Sequence, residues 1–227
     1  MTDLIDTTEM YLKAIYELEE EGLNPMRVRI AERLEHSGPT VSQTVARMER
    51  DGLLIVKDDR LLEFTDEGRL TAIEVMRKHR LAERFLLEVI GLPWEKIHDE
   101  ACRWEHVMSE EVERRLIELV SDPNVSPFGM PVPGLELLGL PVREPEACQA
   151  LTSLEDGDYK LCRIGEPLQI DSQFLTQLKD LQLLPGKQVM VAKNNQSWFL
   201  TNAELEEGLV VDNLVAQHLF LSEITQN

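Results

Sequence analysis

Apolar residues recur every three or four positions in three successive segments near the start of the chain, which is the spacing of amphipathic helices. Thr7 is an alternative start for the first of them, and Pro39 favours a helix start at the third. Residues 53–64 then read as a β-hairpin that turns at Asp58 and Asp59. Helices, a tight turn and a hairpin in this order predict a winged helix-turn-helix. The three predicted helices occupy residues 4–22, 28–34 and 40–52.

Longer helical stretches follow, and the pattern then changes to short strands. Helices are predicted at about 69–90 and 94–119, with a break at 91–93. Residues 123–145 are rich in proline and glycine and are predicted to be either a tether or an ordered loop. Beyond residue 150, about five short strands and one helix favour a small SH3-like barrel. The clearest of these elements are strands at 159–164, 188–192 and 198–200 and a helix at 174–181.

Taken together, these patterns predict an α+β protein of three domains. The winged helix-turn-helix occupies residues 1–73, a helical domain 74–140, and an SH3-like β-barrel domain 151–227, with residues 141–150 as a linker. A chain of 227 residues is long enough for this arrangement.

Composition indicates the cellular compartment in which the protein is expected. The acidic N-terminus differs from a signal peptide, and the apolar stretches are too short to span a membrane, so we expect a cytoplasmic protein without a membrane partner. The three cysteines, Cys102, Cys148 and Cys162, are odd in number and widely spaced, which argues against a disulfide framework and fits a reducing compartment.

The net charge of −19 speaks against nucleic-acid binding when it is taken alone. The distribution changes that conclusion, because residues 26–60 hold seven basic and six acidic residues, a local charge of +1. The rest of the chain therefore carries −20. An acidic body with one basic-enriched region would repel DNA everywhere except at that region, although a solvated surface of mixed charge is the simpler alternative.

The region that follows the turn is the candidate recognition helix. Its first turns offer short hydroxyls that suit phosphates, and Gln43 is the long polar side chain that can reach a base edge. Several arginines would hold the DNA backbone. An ordinary helical hairpin with a polar surface is the alternative. The candidate DNA contacts are Arg27, Ser37, Pro39, Thr40, Ser42, Gln43, Arg47, Arg50 and Arg60.

A second set of residues has the chemistry of a metal site. Cys102, Glu105 and His106 share one helical face, since positions i, i+3 and i+4 lie on the same side. A thiolate, a carboxylate and an imidazole together favour Fe(II), Co(II), Ni(II) or Zn(II). His79, Glu83 and His98 form a second set of nitrogen and oxygen donors.

Each of these residues also has a simple structural alternative. Cys102 could be a small buried apolar residue, and His79 with Glu83 could be a solvated ion pair. Met10 on an apolar helix face is more often a core residue. Arg80 and Ser126 could hold an anion beside the second donor set.

The chain resembles the diphtheria toxin repressor family of iron-dependent transcriptional regulators. The resemblance is strong from residue 1 to about 140 and weak in the last third. Long motifs carry it: DTTEMYL at 6–12, IAERL at 30–34, SGPTVSQTVARMERDG at 37–52, MRKHRLAER at 76–84, HDEACRWEHVM at 98–108 and SPFGMPVPG at 126–134.

The resemblance implies two metal sites. It assigns Met10, Cys102, Glu105 and His106 to a primary site. It assigns His79, Glu83 and His98 to an ancillary site, to which the third domain can add donors. We expect those donors to be Asp171 and then Gln173, although the family has a glutamate and a glutamine three apart there. Met130 departs from the family, whose close relatives carry an amide beside the anion.

The resemblance also implies the function. The expected protein is an iron(II)-activated repressor with two Fe(II) sites per subunit. Co(II), Ni(II), Zn(II) or Mn(II) are expected to substitute, although a thiolate and a thioether disfavour Mn(II). A homodimer would bind palindromic double-stranded operators of iron-uptake and homeostasis genes, with one or two dimers per operator.

A metal-independent winged-helix regulator is the alternative. A metalloenzyme is disfavoured because the chain has no His-Glu-x-x-His, and a single Glu-x-x-His, Glu95 to His98, does not make a di-iron site.

Overall fold

The computed structural model describes residues 7–141, 143–195, 197–202 and 207–224. The first helix is described from Thr7 onward, and the earlier predicted start at residue 4 lies outside the described residues. In the N-terminal domain the helix-turn-helix and its wing are confirmed, because strands at 54–56 and 62–64 pair as an antiparallel hairpin with Leu54 opposite Phe64. The elements are α1 (Thr7–Glu20), α2 (Arg27–Arg33), α3 (Gly38–Arg50), β1 (Leu54–Val56) and β2 (Leu62–Phe64).

Local sequence explains how α3 is placed. The Ser37 side chain caps it by accepting a hydrogen bond from the Thr40 backbone N–H at 3.3 Å, and Pro39 occupies the first turn. The apolar side of α3 packs on α2 and on the first strand of the hairpin, in a core that α1 shares. Its fully buried members include Tyr11, Leu12, Ile15, Ile30, Val41, Val45 and Met48.

The middle domain is helical, but one predicted helix is wrong. Instead of a single helix over 94–119, the structure has two helices separated by a turn at 105–109. The break occurs because Ser109 caps the second helix, accepting a hydrogen bond from the Val112 N–H at 3.4 Å. The elements are α4 (Asp66–Phe85), a π-helical turn (Leu86–Ile90), a 3-10 turn (Trp94–Lys96), α5 (Ile97–Trp104) and α6 (Glu110–Leu119).

In the described residues the C-terminal domain is a six-stranded antiparallel sheet with short helices between strands. Its strands lie side by side in the order 149–150, 219–223, 157–164, 188–194, 197–201 and 208–212. This architecture is consistent with the SH3-like prediction, with one strand more than the five expected. Its elements are β3 (Gln149–Ala150), β4 (Gly157–Ile164), α7 (Glu166–Gln169), α8 (Ser172–Asp180), β5 (Gln188–Asn194), β6 (Ser197–Thr201), β7 (Gly208–Asp212), α9 (Asn213–Ala216) and β8 (Leu219–Glu223).

The described part of the proline-rich segment is an ordered loop, and it docks on β4. Phe128 is fully buried, its ring centroid lies 5.0 Å from that of Trp94, and its carbonyl accepts a hydrogen bond from the Ile164 N–H at 2.9 Å. Gly129 is required there, because it has a φ of +79° and a Cβ would lie 1.8 Å from the Cys162 carbonyl oxygen. This packing gives the middle and C-terminal domains one continuous apolar core.

Two further observations bear on the predicted organisation. The proposed boundary between residues 73 and 74 lies inside α4, so this helix connects the N-terminal and middle domains without a break. Among the described residues, no helix is both long and apolar enough to cross a membrane.

Candidate metal centre

A cleft of about 550 Å³ separates α1 and α2 from the end of α5 and from the C-terminal domain. The four predicted primary-site residues, Met10, Cys102, Glu105 and His106, all line it. Met10 projects from α1, whereas the other three lie on the last turn of α5 and just after it. The structure therefore brings together, around one cavity, donors that are about ninety positions apart in the chain.

The polar contacts in this cleft join α1 to the end of α5. Glu9 Oε2 lies 2.6 Å from His106 Nδ1, and Glu105 Oε1 lies 3.3 Å from His106 Nε2. The hydrogen bond to Glu9 is the main reason that the pKa of His106 is raised. His106 is thus held between two carboxylates, one from each side of the cleft.

The Cys102 thiol and the Glu105 carboxyl group both have lowered pKa values, which favours their anionic forms. Burial raises the pKa of Cys102, but the nearby Lys13 ammonium and His79 outweigh burial and bring it to about 5. Burial likewise opposes ionisation of Glu105, and the same two neighbours lower its pKa to about 2. A thiolate and a carboxylate are the forms in which these side chains bind metal ions.

Lys13 was not singled out from the sequence, yet it lies at the centre of this cluster. Its Nζ is 2.9 Å from Glu105 Oε2, 3.0 Å from His79 Nδ1 and 3.7 Å from Cys102 Sγ. The sequence offered one weak signal: Lys13 is one helical turn from Met10 and so lies on the same side of α1. The sequence alone does not show which residues that side of α1 contacts.

The second donor set is buried between α4, α5 and the C-terminal domain. His79 Nε2 lies 2.9 Å from Glu83 Oε1, and His98 Nδ1 lies 3.2 Å from the same oxygen. Glu166 Oε2 is 3.4 Å from His79 Nε2 and 3.5 Å from His98 Nδ1. Ligand atoms of these four residues all lie within 4.8 Å of one another, the spacing that a single metal ion requires.

The expected donors from the C-terminal domain need correction. Asp171 caps α8, its Oδ1 accepting hydrogen bonds from the Gln173 and Phe174 N–H groups at 3.0 Å, and both Asp171 and Gln173 are exposed. Glu166 enters the donor set instead. Gln169 joins it, with Oε1 at 3.1 Å from His98 Nδ1.

A sequence signal for this pair existed. Glu166 and Gln169 are three apart, which is the spacing of the glutamate and glutamine in the family pattern. The helical turn α7 places both side chains on the side that faces α4 and α5.

The chemistry of the second set fits a bound cation. Glu83 Oε2 is buried and has no hydrogen-bond partner among the described residues, which is costly for a carboxylate oxygen. Glu166 Oε2 is also buried, and its contacts with His79 and His98 are long, at 3.4 and 3.5 Å. Although burial lowers the pKa of His98, its contacts with Cys102 and Glu83 raise it to about 10, so these anionic groups draw positive charge to the pocket. A metal ion would supply the same charge and bind both carboxylate oxygens.

The predicted anion site is already filled by carboxylates. Arg80 is fully buried and donates to both Glu20 oxygens, at 2.9 and 2.6 Å, and to Glu166 Oε1 at 3.3 and 3.4 Å. Ser126 Oγ accepts a hydrogen bond from the Phe128 N–H at 3.1 Å. An external anion at Arg80 would therefore have to displace Glu20, which belongs to α1.

Most of the predicted DNA contacts are accessible on the N-terminal domain. Arg27 is half-buried, and the remaining predicted contacts are exposed. Arg60 sits at the hairpin turn with a φ of +71°, and Arg47 also donates to Thr8 Oγ1 at 3.3 Å, which ties α3 to the first turn of α1. The exposed contacts are Ser37, Pro39, Thr40, Ser42, Gln43, Arg47, Arg50 and Arg60.

Two domain families match the chain over most of its first 134 residues. Residues 3–62 match the iron dependent repressor N-terminal DNA binding domain, and residues 65–134 match the iron dependent repressor metal binding and dimerisation domain.

Full-length relatives extend this similarity. The chain is 58% identical over 198 residues to the iron-dependent repressor IdeR of Mycobacterium tuberculosis, covering 84% of this chain and 86% of the relative. It is 56% identical over 196 residues to the diphtheria toxin repressor of Corynebacterium diphtheriae, with the same coverage of each.

Solved structures share the whole architecture. IdeR of T. acidophilum has a TM-score of 0.76 and 26% identity, and covers 95% of this chain and 97% of its own. A manganese-dependent transcriptional repressor in complex with manganese has a TM-score of 0.80 and 25% identity, and covers 96% of this chain and 100% of its own.

Proposed function

The chain belongs to the iron-dependent repressor family, and we propose that it is a repressor activated by Fe(II), which binds palindromic operators of iron-uptake and homeostasis genes as a dimer. It is a metal-dependent, DNA-binding transcriptional repressor and not an enzyme. The metal-independent regulator is not favoured.

Two metal sites per subunit are part of the proposal. Met10, Cys102, Glu105 and His106 would hold the primary metal. The ancillary metal would be held by His79, Glu83, His98, Glu166 and Gln169, with Asp171 and Gln173 left out. The buried Glu83 oxygen without a hydrogen-bond partner and the weakly held Glu166 oxygen support the ancillary site.

The donor chemistry supports iron as the physiological metal. A thioether and a thiolate beside an imidazole and a carboxylate suit Fe(II) better than Mn(II). Co(II), Ni(II) and Zn(II) prefer similar donors and are expected to substitute, as Mn(II) would more weakly. The iron-dependent relatives agree with this choice, whereas a manganese-dependent neighbour is a more distant match.

One observation carries the proposed switch: α1 of the DNA-binding domain forms one wall of the cleft, and the Cys102–His106 segment forms the other. Bound metal would supply bonds between the two walls. Because α1 and α3 share one apolar core and Arg47 donates to Thr8, a shift of α1 would also move the recognition helix. If metal binds more tightly in one position of α1 than in another, bound metal would shift the population towards that position, which we propose is the DNA-binding state.

The DNA-binding face supports double-stranded operators as the ligand. The exposed α3 residues Ser42 and Gln43 can face a major groove, and Arg50 and Arg60 can contact phosphates on either side. A dimer would bind two half-sites related by its two-fold axis. The middle domain exposes apolar side chains that a dimer would cover, among them Val89, Ile90, Val107, Val112 and Leu119.

A gel mobility shift tests the proposed function. Metal-loaded protein should retard operator DNA, and chelator should release it. Size-exclusion chromatography of the complex would show whether one dimer or two occupy each operator. Equal DNA affinity with metal and with chelator would contradict the switch.

A further inference from the structure

Lys13 lies inside the candidate metal centre and takes no part in the proposed metal binding. It projects from α1 on the same side as Met10, and its side chain is only 8% exposed. Its ammonium lies 2.9 Å from Glu105 and 3.7 Å from Cys102, which belong to the proposed primary site. It also lies 3.0 Å from His79, which belongs to the proposed ancillary site.

A metal ion bound by these donors would compete with the ammonium. Lys13 Nζ lies 2.9 Å from Glu105 Oε2 and 3.7 Å from Cys102 Sγ, and metal-donor bonds to such groups are about 2.0 to 2.3 Å long. Two buried cations that share the same donors repel each other strongly. The observed position of Lys13 therefore opposes metal ligation by Cys102 and Glu105.

We propose that Lys13 is an internal competitor for the primary metal site: its ammonium holds the donors in the absence of metal and must leave before metal binds. This inference rests on the proposed function and adds the residue that would set its metal threshold. The competition lowers metal affinity without removing any ligand, so it determines how much free metal is needed for repression.

The cleft offers the displaced side chain a place to go. Lys13 already lines it, and so do the exposed side chains of Glu32 and Glu35. A cavity of about 550 Å³ has room for an ammonium and its hydration water. The ammonium would thus exchange buried anionic partners for partly hydrated ones.

The exchange also changes what holds α1. With the ammonium among the donors, Lys13 ties α1 to Glu105, in addition to the contact between Glu9 and His106. With metal bound, Met10 would replace Lys13 in this role. The two residues are one helical turn apart on the same helix. Lys13 therefore competes at the contact that the proposed switch uses.

Lys13→Leu tests the competition, because leucine has no metal-binding atom and keeps the helix. Co(II) affinity would be measured without oxygen, by competition against a chelator and by thiolate-to-Co(II) absorption. The variant should bind Co(II) about tenfold more tightly than wild type, the effect expected for losing one charge-assisted hydrogen bond. Lys179→Leu removes an exposed lysine that pairs with Glu95 at 3.2 Å and should bind like wild type.

Two outcomes separate this inference from the proposed function. If Lys13→Leu binds Co(II) as wild type does or more weakly, the competition is refuted while the metal site stands. If wild type shows no thiolate-to-Co(II) absorption, the primary site itself is refuted. Lys13→Arg keeps the charge and should bind no more tightly than wild type.

A second measurement uses the wild-type protein and so does not depend on how a variant folds. An amine-reactive acetylating reagent, read out by peptide mass spectrometry, should modify Lys13 slowly in chelator. Co(II) should accelerate that modification several-fold and leave Lys179 unchanged. Equal or slower acetylation of Lys13 with Co(II) would show that the ammonium stays in place, and the inference would fail.

Discussion

Glu166 Oε2, in the first turn that follows β4, lies 3.4 Å from His79 Nε2 in the middle of α4. The C-terminal domain thereby places a carboxylate in a buried pocket whose other donors come from the middle domain. The same glutamate contacts Arg80, which in turn holds Glu20 of α1. All three domains meet around this one side chain.

Glu166→Ala should weaken ancillary metal binding by at least about tenfold, the lower end for losing a supporting group at a metal site. Isothermal titration calorimetry with Co(II) would measure it. Asp171→Ala is the control, because Asp171 caps α8; it should leave metal affinity unchanged and cost about 1 kcal/mol of folding free energy. If Asp171→Ala weakened metal binding and Glu166→Ala did not, Asp171 would be the donor from the C-terminal domain, as the sequence predicts.

Sequence reasoning located the helices of the DNA-binding domain because their signals are local. Ser37 and Pro39 mark the start of α3 without any tertiary contact. The donor from the C-terminal domain depends instead on which residues that domain turns towards α4, and helical or strand periodicity does not encode this. Asp171 looked suitable as a ligand, but its short side chain caps its own helix.

The contacts of Lys13 could not be predicted from the sequence either. Helical spacing places it beside Met10, but only the packing of α1 against α5 shows that its ammonium meets Cys102 and Glu105. A buried lysine without known partners cannot be distinguished by sequence from one that reaches solvent along a helix surface.

The Cys102 thiol should titrate with a midpoint near pH 5 in protein freed of metal by chelator. Thiolate absorbance at 240 nm would follow it, and Cys102→Ser should abolish the transition. The folded pKa lies below the ordinary value of 9.0, so this group's contribution to stability is complete above about pH 9 and is lost as pH falls through 5. Lys13→Leu should raise the midpoint, since Lys13 is the strongest factor lowering it.

Glu20→Gln should destabilise the protein by about 3 kcal/mol, because it leaves the fully buried Arg80 with fewer anionic partners. Glu19→Gln is a matched control on the next residue. Glu19 pairs with Arg69, where the side chains are 27% and 42% exposed, and its loss should cost less than about 1 kcal/mol. Urea unfolding of both variants would check this, and equal costs would show that the Arg80 pair is not special.

Two substitutions on the DNA-binding face should have different effects. Arg50→Ala should weaken binding to all sequences and reduce the slope of log affinity against log salt by about 1. Gln43→Ala should alter preference among operator variants by about 1 to 3 kcal/mol at the positions it reads, and leave the salt slope unchanged. Fluorescence anisotropy over a salt series would separate them. A change of salt slope in Gln43→Ala would assign that residue to phosphate contact.

The most direct test is DNA affinity at controlled free metal. The probe would be a duplex selected from a random library with Co(II)-loaded protein, and anisotropy would be measured without oxygen in Fe(II) and in chelator. Wild type should bind at least about tenfold more tightly with Fe(II), within the usual range for coupling between two sites, and Cys102→Ala should bind weakly in both conditions. Equal wild-type affinity with Fe(II) and with chelator would contradict metal control of DNA binding.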